Sequence, residues 1–183
     1  LNHIDIILSS FIKGVGMQKK VLTEQALYFG DVDMPKGFEI EEKNLTSDIL
    51  ESKLFQSKFK FSKTFDKLTT YVSDHINVKY NIKLINKDTC GDVYEPQEIS
   101  SPLLNVNPVD LRNSPDFTLL YGVKVKDCSI KIYYDDNRRK GKTWDIPLLT
   151  NGFVMFPSTC MYIISNTQRD SLNFIQTILY DYL

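Results

Sequence analysis

The sequence predicts a mainly β protein of the α+β class: a jelly roll, sandwich or small barrel of short antiparallel strands with one covering helix. Three observations predict it. Beyond residue 80, apolar residues recur at every second position in one segment after another, the period of a half-buried strand. Turn-forming residues separate these segments at nearly even spacing, as all-β architectures require. Aromatic residues make up 12% of the 183 residues, chiefly 11 Phe and 10 Tyr, and flat side chains pack well on pleated surfaces.

The first 60 residues read differently from the rest. LNHIDIILSSFIKG suits a short amphipathic element, KKVLTEQALYFGDV a strand or strand pair broken by Gly30, and DMPKGFEIEEKNLTSDILES a charged, turn-rich stretch. Residues 1–60 are therefore expected to form an arm or a face-covering extension, and residues 61–183 the jelly-roll-like domain. The covering helix is expected near 62–77. There Phe61, Phe65, Leu68, Val72 and Ile76 make one apolar stripe at helical spacing, and Ser62 or Thr64 is placed to cap its start.

The strands follow in order: YNIKLI, FTLLYGVKV, SIKIYY, TWDIPL, GFVMFP, MYIIS and SLNFIQTILYDYL. Ile130, Ile132 and Tyr134 alternate with Lys131 and Tyr133; Trp144, Ile146 and Leu148 alternate with Asp145 and Pro147. DDNRRKGK reads as the hairpin loop between these two. YEPQEISSPLLNVNPVDLRNSPD carries four prolines and reads as a long connection that wraps an edge strand.

Composition narrows the function. Net charge is −1, from 22 basic and 23 acidic residues, so no overall field draws nucleic acid or an anionic membrane. No apolar run approaches the ~20 residues that span a bilayer. Asp5 interrupts the apolar start and no basic region precedes it, which argues against a secretory signal. Cys90, Cys128 and Cys160 lie too far apart for a metal clip and read as buried free thiols.

Few residues group into chemistry. Arg138, Arg139, Lys140 and Lys142 form a compact basic cluster followed by Trp144, and these five are the candidate interaction site. Such a cluster can hold a phosphate backbone with the indole as a stacking surface. It is also what a solvated hairpin tip looks like, with Trp144 in the core and Asp135 and Asp136 offsetting the charge. Those two aspartates, adjacent on a strand, point to opposite faces and cannot easily share one ligand. Gly14-Val15-Gly16 lacks the third glycine of a phosphate loop.

From residue 128 onward, a strand and acidic turn (IKIYYDDN) lead to a glycine-containing strand with a Phe-Pro-Ser corner (GFVMFPS). Met161, a nearby Asn and an Arg-x-Ser before the last strand (RDSLNFIQTI) follow. This order resembles the second half of the double-stranded β-helix of the 2-oxoglutarate- and iron(II)-dependent oxygenases, especially phage and prolyl-hydroxylase-like members. The resemblance implies an iron held by two histidines and one carboxylate. It lays Met161 on the distal histidine, Ser114-Pro115-Asp116 on the His-x-Asp motif, and Arg169, with Ser171, on the far carboxylate of 2-oxoglutarate. Both histidines are then missing. Only His3 and His75 exist: His3-Ile4-Asp5 spells His-x-Asp but precedes every element of the barrel, and His75 lies on the covering helix.

The expectation is therefore a degenerate, phage-type member of that family, a pseudoenzyme with no catalytic residue, metal or cofactor. Its work would be protein-protein interaction or assembly, in the specific form of a bacteriophage virion structural component. Its partners would be other proteins in an oligomeric assembly, with membrane excluded and nucleic acid disfavoured, and its location the virion or host cytoplasm. The alternative is an active 2-oxoglutarate- and iron(II)-dependent hydroxylase.

Overall fold

The computed structural model describes residues 25–32, 42–55, 63–135 and 141–183. In chain order the elements are β1 (Tyr28–Asp31), α1 (Glu42–Phe55), α2 (Lys63–Tyr80), β2 (Leu84–Tyr94), β3 (Phe117–Lys124), β4 (Cys128–Asp135), β5 (Gly141–Leu148), β6 (Gly152–Pro157), β7 (Met161–Asn166) and β8 (Asn173–Tyr182). The strands form a five-stranded sheet, β1-β6-β3-β8-β2, facing a three-stranded sheet, β5-β4-β7. Every pairing is antiparallel. This is the mainly β, jelly-roll arrangement of a double-stranded β-helix.

Alternation assigns each side chain to one of two cores. Between the sheets lie Tyr94, Leu120, Cys128, Ile130, Ile132, Ile146, Leu148, Val154, Phe156, Tyr162, Ile164 and Ile175. On the outer face of the larger sheet, Leu119, Tyr121, Val123, Phe153, Met155, Phe174, Ile178 and Tyr180 pack under the helices. β8 lies inside the sheet between β3 and β2 and is buried along most of its length.

The stripe predicted for the covering helix is the stripe buried: Leu68, Val72 and Ile76 of α2 are fully enclosed, each stabilising the fold by ~1.5–3 kcal/mol. Phe61 and Ser62 lie outside the described residues. Two buried polar contacts fix α2 in register on β8: Gln176 Nε2 donates to Thr69 Oγ1 at 2.7 Å, and the Ser73 and Tyr180 hydroxyls bond at 2.7 Å. The helix stops where Asn81 takes a left-handed φ of 52°, a conformation asparagine tolerates at a helix end.

A second helix joins the one expected. α1 buries Leu45 and Ile49, and Ile49 sits so close over Gly91 of β2 that a Cβ there would lie 2.5 Å from it. β1 adds an edge strand beside β6. Asn151, with φ 67° in the turn before β6, accepts from the Tyr121 hydroxyl and donates to the Val32 carbonyl, tying that edge to the barrel. Both α1 and β1 fall within residues 1–60, where an extension was expected. No helix among the described residues is long and apolar enough to cross a membrane.

The proline-rich connection after β2 hydrogen-bonds along the free edge of β7. Ser100 N–H reaches the Ile164 carbonyl, Leu103 and Tyr162 exchange both backbone bonds, and Asn166 N–H reaches the Glu98 carbonyl. Residues 98–103 thereby extend the smaller sheet to a fourth row and close that side of the barrel.

Candidate functional site

The fold brings four polar side chains together between the sheets, at the end where β3 and β7 begin and β6 ends. Thr118 and Ser158 are completely buried and their hydroxyls bond at 2.8 Å. Asn105, on the proline-rich connection, donates from Nδ2 to Thr118 Oγ1 and to Tyr162 Oη, each at 3.0 Å. The Tyr162 ring stacks edge-on against Phe156, with centroids 5.0 Å apart. Burial pushes the Tyr162 phenol up to about 12, against a smaller lowering by the Asn105 bond, so it stays protonated.

Deeper along the barrel wall, β2 contributes Cys90, Asp92 and Tyr94. Gly91 and Val93 face α1 and the outer core, so these three face inward. Asp92 is raised above the ordinary carboxylate value, first by burial and then, with Lys53 opposing, by Glu98. Cys90 is open to solvent yet crowded by the barrel wall; that crowding and the carboxylates of Asp92 and Asp88 raise its thiol to about 12, with Thr177 opposing. Tyr94 is raised by burial and by the nearby Asp92 and Tyr162. The interior therefore presents hydroxyl and amide groups and a carboxyl whose proton affinity is raised by burial, a hydrogen-bonding surface.

Two clefts open at the same end. One, of about 200 Å³, is lined by Leu27, Ile132, Tyr134, Trp144, Phe156 and Cys160 among others. The other, of about 660 Å³, runs past Ser114, Asp116, Phe117 and Tyr182. They share Gln25, Ala26 and Pro157.

The residues laid on the iron motif do not converge here. Met161 points out of the barrel and is 43% exposed; its neighbour Tyr162 is the inward residue at the start of β7. Ser114 closes its own loop, its Oγ accepting from Asn107 N–H and donating to the Asp110 carbonyl. Asp116 terminates β8: its carboxylate accepts from Tyr182 N–H at 2.8 Å. Arg169 is exposed in the turn before β8, far along the barrel from Met161. Asn166 donates to the carbonyls of Tyr94, Glu95 and Ser171 and serves as a clamp between loops. His75 packs on the outer face of the larger sheet, its ring 6.4 Å from that of Phe153.

Of the candidate interaction residues, Arg138, Arg139 and Lys140 lie outside the described residues. Lys142 and Trp144 stand on β5, an edge strand, with Lys142 exposed and Trp144 39% exposed. They share the face that looks between the sheets. Trp144 tilts against Tyr134 with centroids 6.0 Å apart, so its ring forms a wall of the smaller cleft.

No family model and no curated protein matches the chain. Solved structures do. AviO1 from Streptomyces viridochromogenes Tue57 is similar with TM-score 0.58 and 11% identity, over 86% of this chain and 90% of that one. The Pseudomonas putida prolyl-4-hydroxylase matches at 0.56 and 9%, over 86% of each. The viral collagen prolyl hydroxylase of Paramecium Bursaria Chlorella virus-1, solved with 2-oxoglutarate, matches at 0.56 and 13%, over 84% and 94%. The fold is that of the 2-oxoglutarate- and iron(II)-dependent oxygenases.

This likeness corrects the functional expectation. A non-catalytic interaction or assembly protein, with a bacteriophage virion component as its specific form, was expected because Met161 and Ser114 stand where the resemblance calls for histidines. The similar structures include hydroxylases instead, and this likeness overturns the pseudoenzyme and virion readings. The alternative, an oxygenase, is the better supported.

Proposed function

We propose that the chain is an enzyme of the 2-oxoglutarate- and iron(II)-dependent oxygenase class, working at the barrel end where Asn105, Thr118, Ser158 and Tyr162 meet. The observation that supports this is the likeness in fold to hydroxylases of that class across at least 84% of the chain. One fold hosts many chemistries, so the reading stands or falls on the metal.

Iron in this class is held by two imidazoles and a carboxylate. The described residues do not fit that set. No three His, Cys, Asp or Glu side chains among them stand together, and His75, the one histidine among them, packs outside the barrel. A phenol becomes a good ligand only when ionised, and the Tyr162 phenol is both raised and bonded to Asn105. Of the two histidines only His3, in His3-Ile4-Asp5, lies outside the described residues, so the reading requires a site with one imidazole, from His3, in place of the usual two. No reaction step is assigned to the metal. The chain's own interior groups would orient a substrate through the Asn105, Thr118 and Tyr162 hydrogen bonds.

Anaerobic titration of the full chain with Fe(II) and 2-oxoglutarate tests the proposal. The expected result is the weak visible charge-transfer band of the ternary complex, its loss in His3→Ala, and consumption of 2-oxoglutarate in air. No band together with no consumption overturns it.

A further inference from the structure

We propose that the cleft beneath Trp144 is a binding site for a neutral, apolar, ring-sized group. Its walls are Leu27, Ile132, Tyr134, Trp144, Phe156 and Cys160. Ile132, Phe156 and Cys160 are buried core residues, whereas Trp144 closes it from the edge strand β5 and Tyr134 from the neighbouring β4. Among the described residues no charged side chain lines it, and Gln25 is the one amide. Against these walls a cation or carboxylate would lose its hydration without a partner, at a cost of several kcal/mol, so they favour an occupant whose buried part is uncharged.

Size sets the second limit. About 200 Å³ suits one six-membered ring, since apolar cavities near 150 Å³ already take up benzene. Three aromatic walls favour offset or edge-on contact with such a ring. The adjoining cleft, reached past Gln25, Ala26 and Pro157, is about three times larger and carries Ser114, Asp116 and Thr159. It provides room for a polar remainder of the ligand. Phe156 both lines the smaller cleft and packs on Tyr162, so a bound ring would lie one side chain away from the Asn105–Tyr162 pair. As the apolar part of a substrate this site rests on the oxygenase reading; as a binding site it does not.

Trp144 is the only tryptophan, so its emission reports the cleft directly. Metal-free full-length chain is titrated with benzyl alcohol, with glycerol as the polar control. A saturable change in emission with benzyl alcohol and none with glycerol is expected. Ala26→Phe, which fills the cleft from its half-buried rim, should weaken that binding at least tenfold while leaving the thermal midpoint in place. Intermolecular nuclear Overhauser effects from the benzyl ring to the indole give a second readout that needs no variant. A linear response matched by free N-acetyltryptophanamide, or undiminished binding in a folded Ala26→Phe, overturns the proposal. Because neither iron nor 2-oxoglutarate is present, its failure leaves the enzymatic test untouched, and a failed charge-transfer titration leaves this site standing.

Discussion

Breaking the Asn105–Tyr162 bond from its two ends should cost different amounts, and the order is set by burial. Tyr162 is 3% exposed. Replacing Asn105 with Leu leaves that phenol in a closed interior without the donor it faces, a loss of ~2 kcal/mol within the range for a buried unpaired polar group. Thr118 is spared because Ser158 remains its partner at 2.8 Å. Tyr162→Phe instead strands one N–H of Asn105, which is half-buried and within reach of water, so ~1 kcal/mol is expected. For a chain of this length each kcal/mol moves the midpoint by ~2–4 °C, giving ~4–8 °C for Asn105→Leu and ~2–4 °C for Tyr162→Phe. The double variant removes both partners and should cost less than the two losses added together, the coupling expected of residues in direct contact. Urea and thermal unfolding, followed by circular dichroism and by Trp144 emission, measure all three. Additive losses, or a larger loss for Tyr162→Phe, would refute the reasoning by showing that the phenol is solvated and the barrel end open.

Three further outcomes follow from other sites. A Cβ at Gly122 would run into the Leu149 carbonyl oxygen, a backbone atom that cannot swing aside, so Gly122→Ala should cost about 3 kcal/mol in urea unfolding; a loss under half that would show that the turn before β6 gives way. Asp92 holds its proton more tightly folded than unfolded, so it removes stability as pH rises from its ordinary value of 3.8 through its raised one. Asp92→Asn should therefore raise the thermal midpoint at pH 7 and lose that advantage in acid, whereas an unchanged difference across pH would contradict a raised carboxyl. Cys90 is accessible but its thiol is raised to about 12, so alkylation by iodoacetamide at pH 8 should run ~1,000-fold slower than for free cysteine, in proportion to the thiolate present, and climb with pH past 10, because the thiolate is the nucleophile. An ordinary rate would mean that the thiol is solvated like a free one.

The barrel was legible because its strands obey a period of two under strong contrast. GFVMFP is β6 to the residue, and FTLLYGVKV and SIKIYY each fall within a residue or so of β3 and β4. β2 was seen only at its first residues, since NKDTCGDVY is polar over most of its length: its inner face carries Cys90 and Asp92, and its outer face is capped by α1 at Gly91, where no side chain is needed. α1 was missed for a related reason. EKNLTSDILESKLF buries only Leu45 and Ile49 among its described side chains, too few to show a stripe against so many charges. The proline-rich connection was correctly read as wrapping an edge, because prolines cannot continue a ladder yet leave the flanking N–H groups of Ser100 and Leu103 free to bond β7.

The site was less legible, and a single step of register accounts for most of it. In MYIISN the first four residues are all apolar, so nothing in the sequence says whether Met161 and Ile163 or Tyr162 and Ile164 face inward. A slip of one residue exchanges the two faces completely. Matching the Phe-Pro-Ser corner put Met161 at the functional position, and the absence of iron ligands was then argued from a side chain that points to solvent. The inward residue is Tyr162, and what stands opposite it is Asn105, which belongs to a connection with no strand pattern and so could not be paired with anything in advance. Asp116 misled in the complementary way: its carboxylate looks like a surviving ligand, but the Tyr182 amide already occupies it. Among the described residues the one imidazole, His75, packs on the outer face, and the residue facing inward at the start of β7 is Tyr162 instead of Met161.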